Sequence, residues 1–165
     1  MMRPTPIPPG PGQESVWDYP RPPRIEAVTK HIRIIFNNEL IVDTRRSKRG
    51  LETSHPPSYY IPQEDIKMEY LIPSDHATFC EWRGAAKYYH LQVGDRKVEN
   101  VAWYYTDILP AYEELLGHVS FYPRPMDACY VDDEKVEPQP GNFYAGWITR
   151  DIVGPFKGVP GSWGW

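Results

Sequence analysis

The sequence is short of most features that mark a chemistry on sight. It has only two cysteines, Cys80 and Cys129, too few for a disulfide scaffold and without any Cys-x-x-Cys knuckle. No His-Glu-x-x-His and no acidic loop with ligand spacing is present, so no metal site is expected. His31, His76, His90 and His118 have no spacing that requires them to converge. No glycine-rich loop precedes a helix, which removes the usual phosphate cradle. No apolar run approaches membrane-spanning length, and Met1 opens no signal peptide. Bases are not in excess: 18 Lys and Arg stand against 22 Asp and Glu, a net charge of −4. A general nucleic-acid binder is usually basic, so neither nucleic acid nor membrane is expected as a partner. Reduced cysteines without a leader lead to the expectation of a cytoplasmic protein.

What the 165 residues do contain is proline and aromatics: 19 Pro, 12 Tyr, 6 Trp and 5 Phe. Aromatics at 14% argue against wholesale disorder, and the prolines argue against a helical bundle. Eight of the prolines fall in residues 1–24, which reads as an extended arm with Val16, Trp17 and Tyr19 as docking anchors. Residues 25–137 read as a core of β-hairpins. Residues 138–165, rich in Gly and aromatics, read as a segment that wraps the sheet and shields an edge. All three belong to one domain.

Three hairpins are written in the same grammar. His31–Phe36 is apolar and β-branched, turns at Asn37-Asn38 and returns through Glu39–Asp43. Leu91–Val93 turns at Gly94-Asp95, and Cys129–Val131 turns at Asp132-Asp133. Helices are expected only as two short pieces. One opens at Pro62 and carries Ile66, Met68 and Leu71 toward Pro73; the other runs from Pro110 to Gly117.

Two stretches could carry chemistry. In the first, Pro56-Pro57 stiffens the backbone just after His55, holding an imidazole that can act as base or ligand near neutral pH. Tyr59 and Tyr60 follow on what reads as a strand, so their rings point to opposite faces. The second stretch, Thr78–Gly84, holds Cys80 as a possible thiolate nucleophile beside Trp82 and Arg83, with Gly84 marking a bend. The plainer alternative makes Cys80 a small buried hydrophobe and His55 a surface group. Arg124, mounted between Pro123 and Pro125, is a candidate anion contact; its plain alternative is a salt bridge to Asp127. Residues 30–49 carry six bases and two acids, either a basic patch or a solvated loop. Tyr88, Tyr89, Tyr105 and Tyr144 join Trp82, Trp103, Tyr104 and Trp147 as aromatics in excess of a small core.

Glu52–Pro62, Phe79–Tyr88 and Met126–Asp132 together resemble the domain-of-unknown-function 427 family. Gly12–Pro20, Gly146–Thr149 and Gly154–Gly158 resemble its longer members. The resemblance implies a mainly β, β-tent-like fold, two antiparallel sheets built from hairpins with one or two short helices. Zinc-bearing relatives of that fold hold their metal with Cys-x-x-Cys knuckles, which this sequence lacks. A nucleotidyltransferase label sometimes attached to the family calls for a Gly-Ser followed by an Asp-x-Asp pair, also missing here. No cofactor is indicated.

The combined expectation is a domain whose open end holds a small-molecule pocket. His55, Cys80 and Asp127 would be base, nucleophile and orienting acid; Tyr60, Trp82, Trp103, Tyr104, Arg124 and Trp147 would contact the ligand. The alternative is a non-catalytic ligand-binding or protein-interaction module. Oligomeric state is open at this level.

Overall fold

The computed structural model describes residues 3–80 and 84–165. The short strands of the first half are β1 (Glu14–Ser15), β2 (Arg24–Ala27), β3 (Ile32–Phe36), β4 (Glu39–Thr44), β5 (Lys48–Leu51) and β6 (Ser58–Pro62). Three long strands follow: β7 (Leu71–Cys80), β8 (Gly84–Val93) and β9 (Arg96–Ile108). The rest are β10 (His118–Phe121), β11 (Ala128–Val131), β12 (Glu134–Lys135), β13 (Glu137–Pro138), β14 (Trp147–Ile148) and β15 (Ile152–Val153). A seven-stranded antiparallel sheet has the order β2-β5-β6-β10-β9-β8-β7, and a four-stranded one the order β12-β11-β3-β4. The chain is thus mainly β, one large antiparallel sheet with smaller ones.

The turns follow from local backbone sterics. Asn37 and Asn38 take φ of 48° and 65°, the pair of positive values a two-residue hairpin needs, and Asn tolerates them. Gly94 and Asp132, at φ of 61° and 52°, supply one positive-φ residue each to the β8–β9 and β11–β12 turns.

Of the two short helices expected, the one opening at Pro110 is present as a 3-10 helix, and the one opening at Pro62 needs correction. Among the described residues helix is confined to short 3-10 pieces, at Val16–Asp18, Gln63–Asp65, Met68–Tyr70 and Pro110–Leu115. Leu71 and Pro73 belong to β7, not to a helix. Proline is tolerated there because β7 is an edge strand, and the register slips between Pro73 and Ala77. No helix among the described residues is long and apolar enough to cross a membrane.

The main core lies between the two large sheets. Ile32, Ile34, Phe36 and Val131 of the smaller sheet meet Ile61, Leu91, Val119 and Phe121 of the larger. The arm docks as a separate patch: Val16, Trp17 and Tyr19 pack with Leu51 and Ile152, and β1 pairs in parallel with β15. The C-terminal segment drives Trp147 into the main core, its indole fully buried against the Tyr59 ring at 4.8 Å.

The basic run after β4 is mostly neutralised. Arg46 pairs with Asp65, Lys48 with Glu114, and Arg49 with both Glu14 and Glu26. Among the described residues that offsets three of the run's four bases and leaves Arg45 outside these pairs.

Candidate functional site

The outer face of the seven-stranded sheet, turned away from the four-stranded sheet, is aromatic where the inner face is mainly aliphatic. Period-two alternation produces the split. On β6, Tyr59 enters the main core and Tyr60 goes outward; on β9, Trp103 and Tyr105 go outward. Tyr60, Tyr88, Trp103 and Tyr105 form a second cluster with Tyr112 and Leu115. Tyr60 stands edge-on to Trp103 at 6.5 Å, and Trp103 meets Tyr122 at 5.1 Å. Such pairs contribute about 0.5–1.5 kcal/mol each beyond simple burial. Gly50 makes room for this packing: a Cβ there would sit 3.1 Å from the Tyr60 ring.

A cleft of about 480 Å³ opens on this cluster. Its volume lies within the range of roughly 300–1,000 Å³ usual for small-molecule sites. Three parts of the chain enclose it. The sheet supplies the aromatic cluster, edge strand β7 supplies His76, Thr78, Phe79 and Cys80, and the loop 142–145 closes the remaining side. His76 lies over Tyr88 at 4.5 Å, and the Tyr88 hydroxyl shares a 3.1 Å hydrogen bond with Thr78. Phe79 and Phe143 stand at the rim, 78% and 75% exposed. Burial, then the neighbouring Tyr88, push the Tyr122 phenol well above the usual tyrosine range, so it stays a neutral hydrogen-bonding group.

His55 and Glu52 form the polar end. The Glu52 carbonyl accepts from the His55 backbone N–H at 3.0 Å, a tight turn that sets both side chains on the cleft. The loop is clamped on both sides by the C-terminal segment. Lys157 N–H donates to the Ser54 carbonyl at 2.9 Å, and Trp147 N–H to the Pro57 carbonyl at 2.8 Å. His55 Nδ1 lies 2.9 Å from the Thr53 carbonyl, which can only accept, so Nδ1 carries the proton and Nε2 the lone pair. Burial lowers the His55 pKa below the ordinary 6.5, with Glu52 opposing the shift. The imidazole is therefore neutral at pH 7, an acceptor or a base.

Cys80, at the end of β7, is half-buried and lines the same cleft as His55. Among the described residues no hydrogen bond joins the two. Cys129 is sealed in the main core, where burial pushes its thiol far above the ordinary range and keeps it protonated. Tyr60 and Trp103 line the cleft, as do Tyr88, Tyr105 and Tyr144. Trp82 lies outside the described residues.

Four other candidates are placed elsewhere. Asp127 does not orient His55. One of its oxygens accepts from Arg96 at 2.6 Å and the other from Asn37 N–H at 2.6 Å, which pins the β3–β4 and β8–β9 turns together. Arg96, with help from that backbone bond, holds its carboxyl below the usual range. Tyr104 sits on the inner face, stacked on Tyr89 at 4.7 Å; strand alternation forbids it from sharing a face with Trp103. Trp147 is a core residue whose Nε1–H donates to the Phe121 carbonyl. Arg124 contacts neither Asp127 nor the cleft. Its guanidinium donates to the Gln139 carbonyl at 3.0 Å and toward that of Gly141 at 3.5 Å, so it braces the loop that closes the cleft.

Buried Gln139 completes that brace. Its amide donates to the Lys157 carbonyl and accepts from Gly146 N–H. Gly146 has to be glycine for space, since a Cβ would stand 2.7 Å from the Pro56 carbonyl oxygen. Glu52, Phe79, Tyr122, Gln139 and Phe143 were not singled out from sequence. Only the Thr-Phe-Cys parity on β7 could have pointed to its cleft-facing neighbours.

The molecule is therefore an antiparallel β domain carrying an aromatic-walled cleft with one polar end. The chain belongs to the family described as Domain of unknown function (DUF427), whose model matches residues 24–132. Among curated proteins nothing matches. Among the described residues no three His, Cys, Asp or Glu side chains come together as a metal site would require.

Proposed function

We propose that the cleft is a binding site for a small planar molecule held between aromatic side chains. The observation that carries the reading is the concentration of Tyr60, Tyr88, Trp103, Tyr105 and Tyr122 along one cleft on a single sheet face. Aromatic faces favour flat ligands, and a few polar groups at one end are enough to orient them. Exposed Phe79 and Phe143 at the rim support it, because they would lose water-facing apolar surface when a ligand enters. A thermal-shift screen of flat heterocycles and aromatic acids tests the reading. Hits should raise the melting temperature of the wild type but not of Tyr88→Ala. A screen without hits, or hits that persist in that variant, removes the cleft as the site.

A second, enzymatic reading rests on Cys80 and His55 opening onto the same cleft. The Cys80 thiol proton would pass to His55 Nε2, and the sulfur would add to an electrophilic carbonyl carbon as the C=O π pair moves onto oxygen, which takes the proton back from His55. Iodoacetamide labelling followed by mass spectrometry tests it: Cys80 should react faster in the wild type than in His55→Asn. Equal rates in the two proteins dispose of the pair. Two free thiols support a reducing compartment, and hence the cytoplasm, as the setting.

A further inference from the structure

At the polar end of the cleft two acceptors have no hydrogen-bond donor among the described residues. The Glu52 carboxylate is only 22% exposed, yet the nearest side-chain nitrogens among the described residues are Arg21 Nη2 at 3.8 Å and the neutral His55 Nδ1 at 3.9 Å, both beyond hydrogen-bond length. Among the described residues, the two cations nearest this end each make a hydrogen bond elsewhere. Arg21 donates to the Thr53 carbonyl at 2.9 Å, and Lys157 Nζ to the Trp165 carbonyl at 3.2 Å. His55 spends its Nδ1 proton on the Thr53 carbonyl, which leaves the Nε2 lone pair as its remaining polar function. Tyr144, edge-on to the imidazole at 5.4 Å, adds an aromatic face beside both acceptors.

We propose that the Glu52–His55 end of the cleft receives a planar ligand through an edge carrying two N–H donors, as an amino-substituted nitrogen heterocycle presents. The inference rests on the binding role proposed for the cleft and names the ligand class it takes. An anionic ligand would bring its own acceptors against a carboxylate and a lone pair. A purely apolar one would bury both acceptors without partners. A flat donor edge satisfies them together while the ring system slides between the aromatic side chains.

Calorimetric titration of the full chain with 2-aminobenzimidazole and with 2-naphthoate, two flat bicyclic probes of similar size, tests the assignment. The amino heterocycle should bind tighter by about tenfold or more, the order set by one charge-assisted hydrogen bond. Glu52→Gln and His55→Phe should each narrow that gap. If 2-naphthoate binds as well or better, the donor-edge assignment fails while the cleft stands as a binding site. A gap that survives both substitutions puts the donors elsewhere and also overturns the assignment. If neither probe binds the wild type, the donor-edge assignment fails, and the thermal-shift screen alone decides the binding role of the cleft. The wild-type comparison needs no substitution, so the test survives a variant that does not fold.

Discussion

The two faces of the seven-stranded sheet use the same strands and reach opposite ends. On the inner face Ile61, Leu91, Val119 and Phe121 are completely buried against the four-stranded sheet. On the outer face Tyr60, Trp103 and Tyr105 are also buried, but largely by one another, and the cleft opens directly on them. A sheet face covered by a second sheet becomes a close-packed core. A face covered by one loop, the short Pro110–Leu115 helix and its own large rings keeps a hollow. Hydroxyl-bearing aromatics suit that role, since each ring buries apolar area and still presents a polar tip to whatever enters.

The sharpest break in the comparison is to truncate one large ring on each face. Trp147→Ala removes a fully buried indole and its bond to the Phe121 carbonyl, and is expected to lower stability by about 3–5 kcal/mol. Tyr88→Ala on the outer face opens onto an existing hollow and should cost less than half of that. It should abolish ligand-induced thermal shifts all the same. Urea titrations of both proteins, with and without a hit from the screen, measure the two effects side by side. Equal losses would mean the outer cluster is simply a second core.

Arg124→Ala is the next step down. It leaves the Gln139 and Gly141 carbonyls without a donor, so a loss of about 1 kcal/mol is expected together with weaker ligand binding. Asp127→Asn should do the reverse. Its pair with Arg96 is exposed, so stability should fall by less than about 1 kcal/mol and binding should not change.

The smallest effect is in pH. Burial lowers the folded-state pKa of His55 below its unfolded value near 6.5. The unfolded chain then binds the proton more readily, so this stabilisation is complete above that value and declines as pH falls through it toward the folded pKa. Unfolding free energies of wild type and His55→Phe measured from pH 7.5 to 5 should converge toward the acid end. Parallel curves would mean that His55 is not desolvated, and the polar end of the cleft would have to be redrawn.

How much of this was readable beforehand depends on how local the cause is. The Asn37-Asn38 and Asp132-Asp133 turns were legible because tolerance of positive φ, taken up by both asparagines and by Asp132, belongs to the turn residues themselves. The His55 loop was legible because Pro56-Pro57 announces a rigid backbone. Trp103 and Tyr104 could not both line a cleft, and alternation along one strand already said so; which of the two would, it did not say. Trp147 was misassigned because nothing near it in the chain indicates that Pro57 and Phe121, far away in sequence, accept its backbone and indole N–H groups. Asp127 and Arg124 were misassigned for the same reason: their partners, Arg96 and the Gln139 carbonyl, arrive from other hairpins.

By itself, then, the sequence determined the three hairpins with their turns, the scarcity of helix and the surplus of aromatic rings. Each of these follows from sterics and alternation over a few neighbouring residues. Tertiary structure alone decided which sheet face was sealed and which left hollow. The four-stranded sheet covers one side, while the C-terminal segment only bridges the other. That choice also decided that Glu52, His55 and Cys80 would share one cleft and that Asp127 would not. Contacts between residues distant in sequence set it, and no local pattern encodes them.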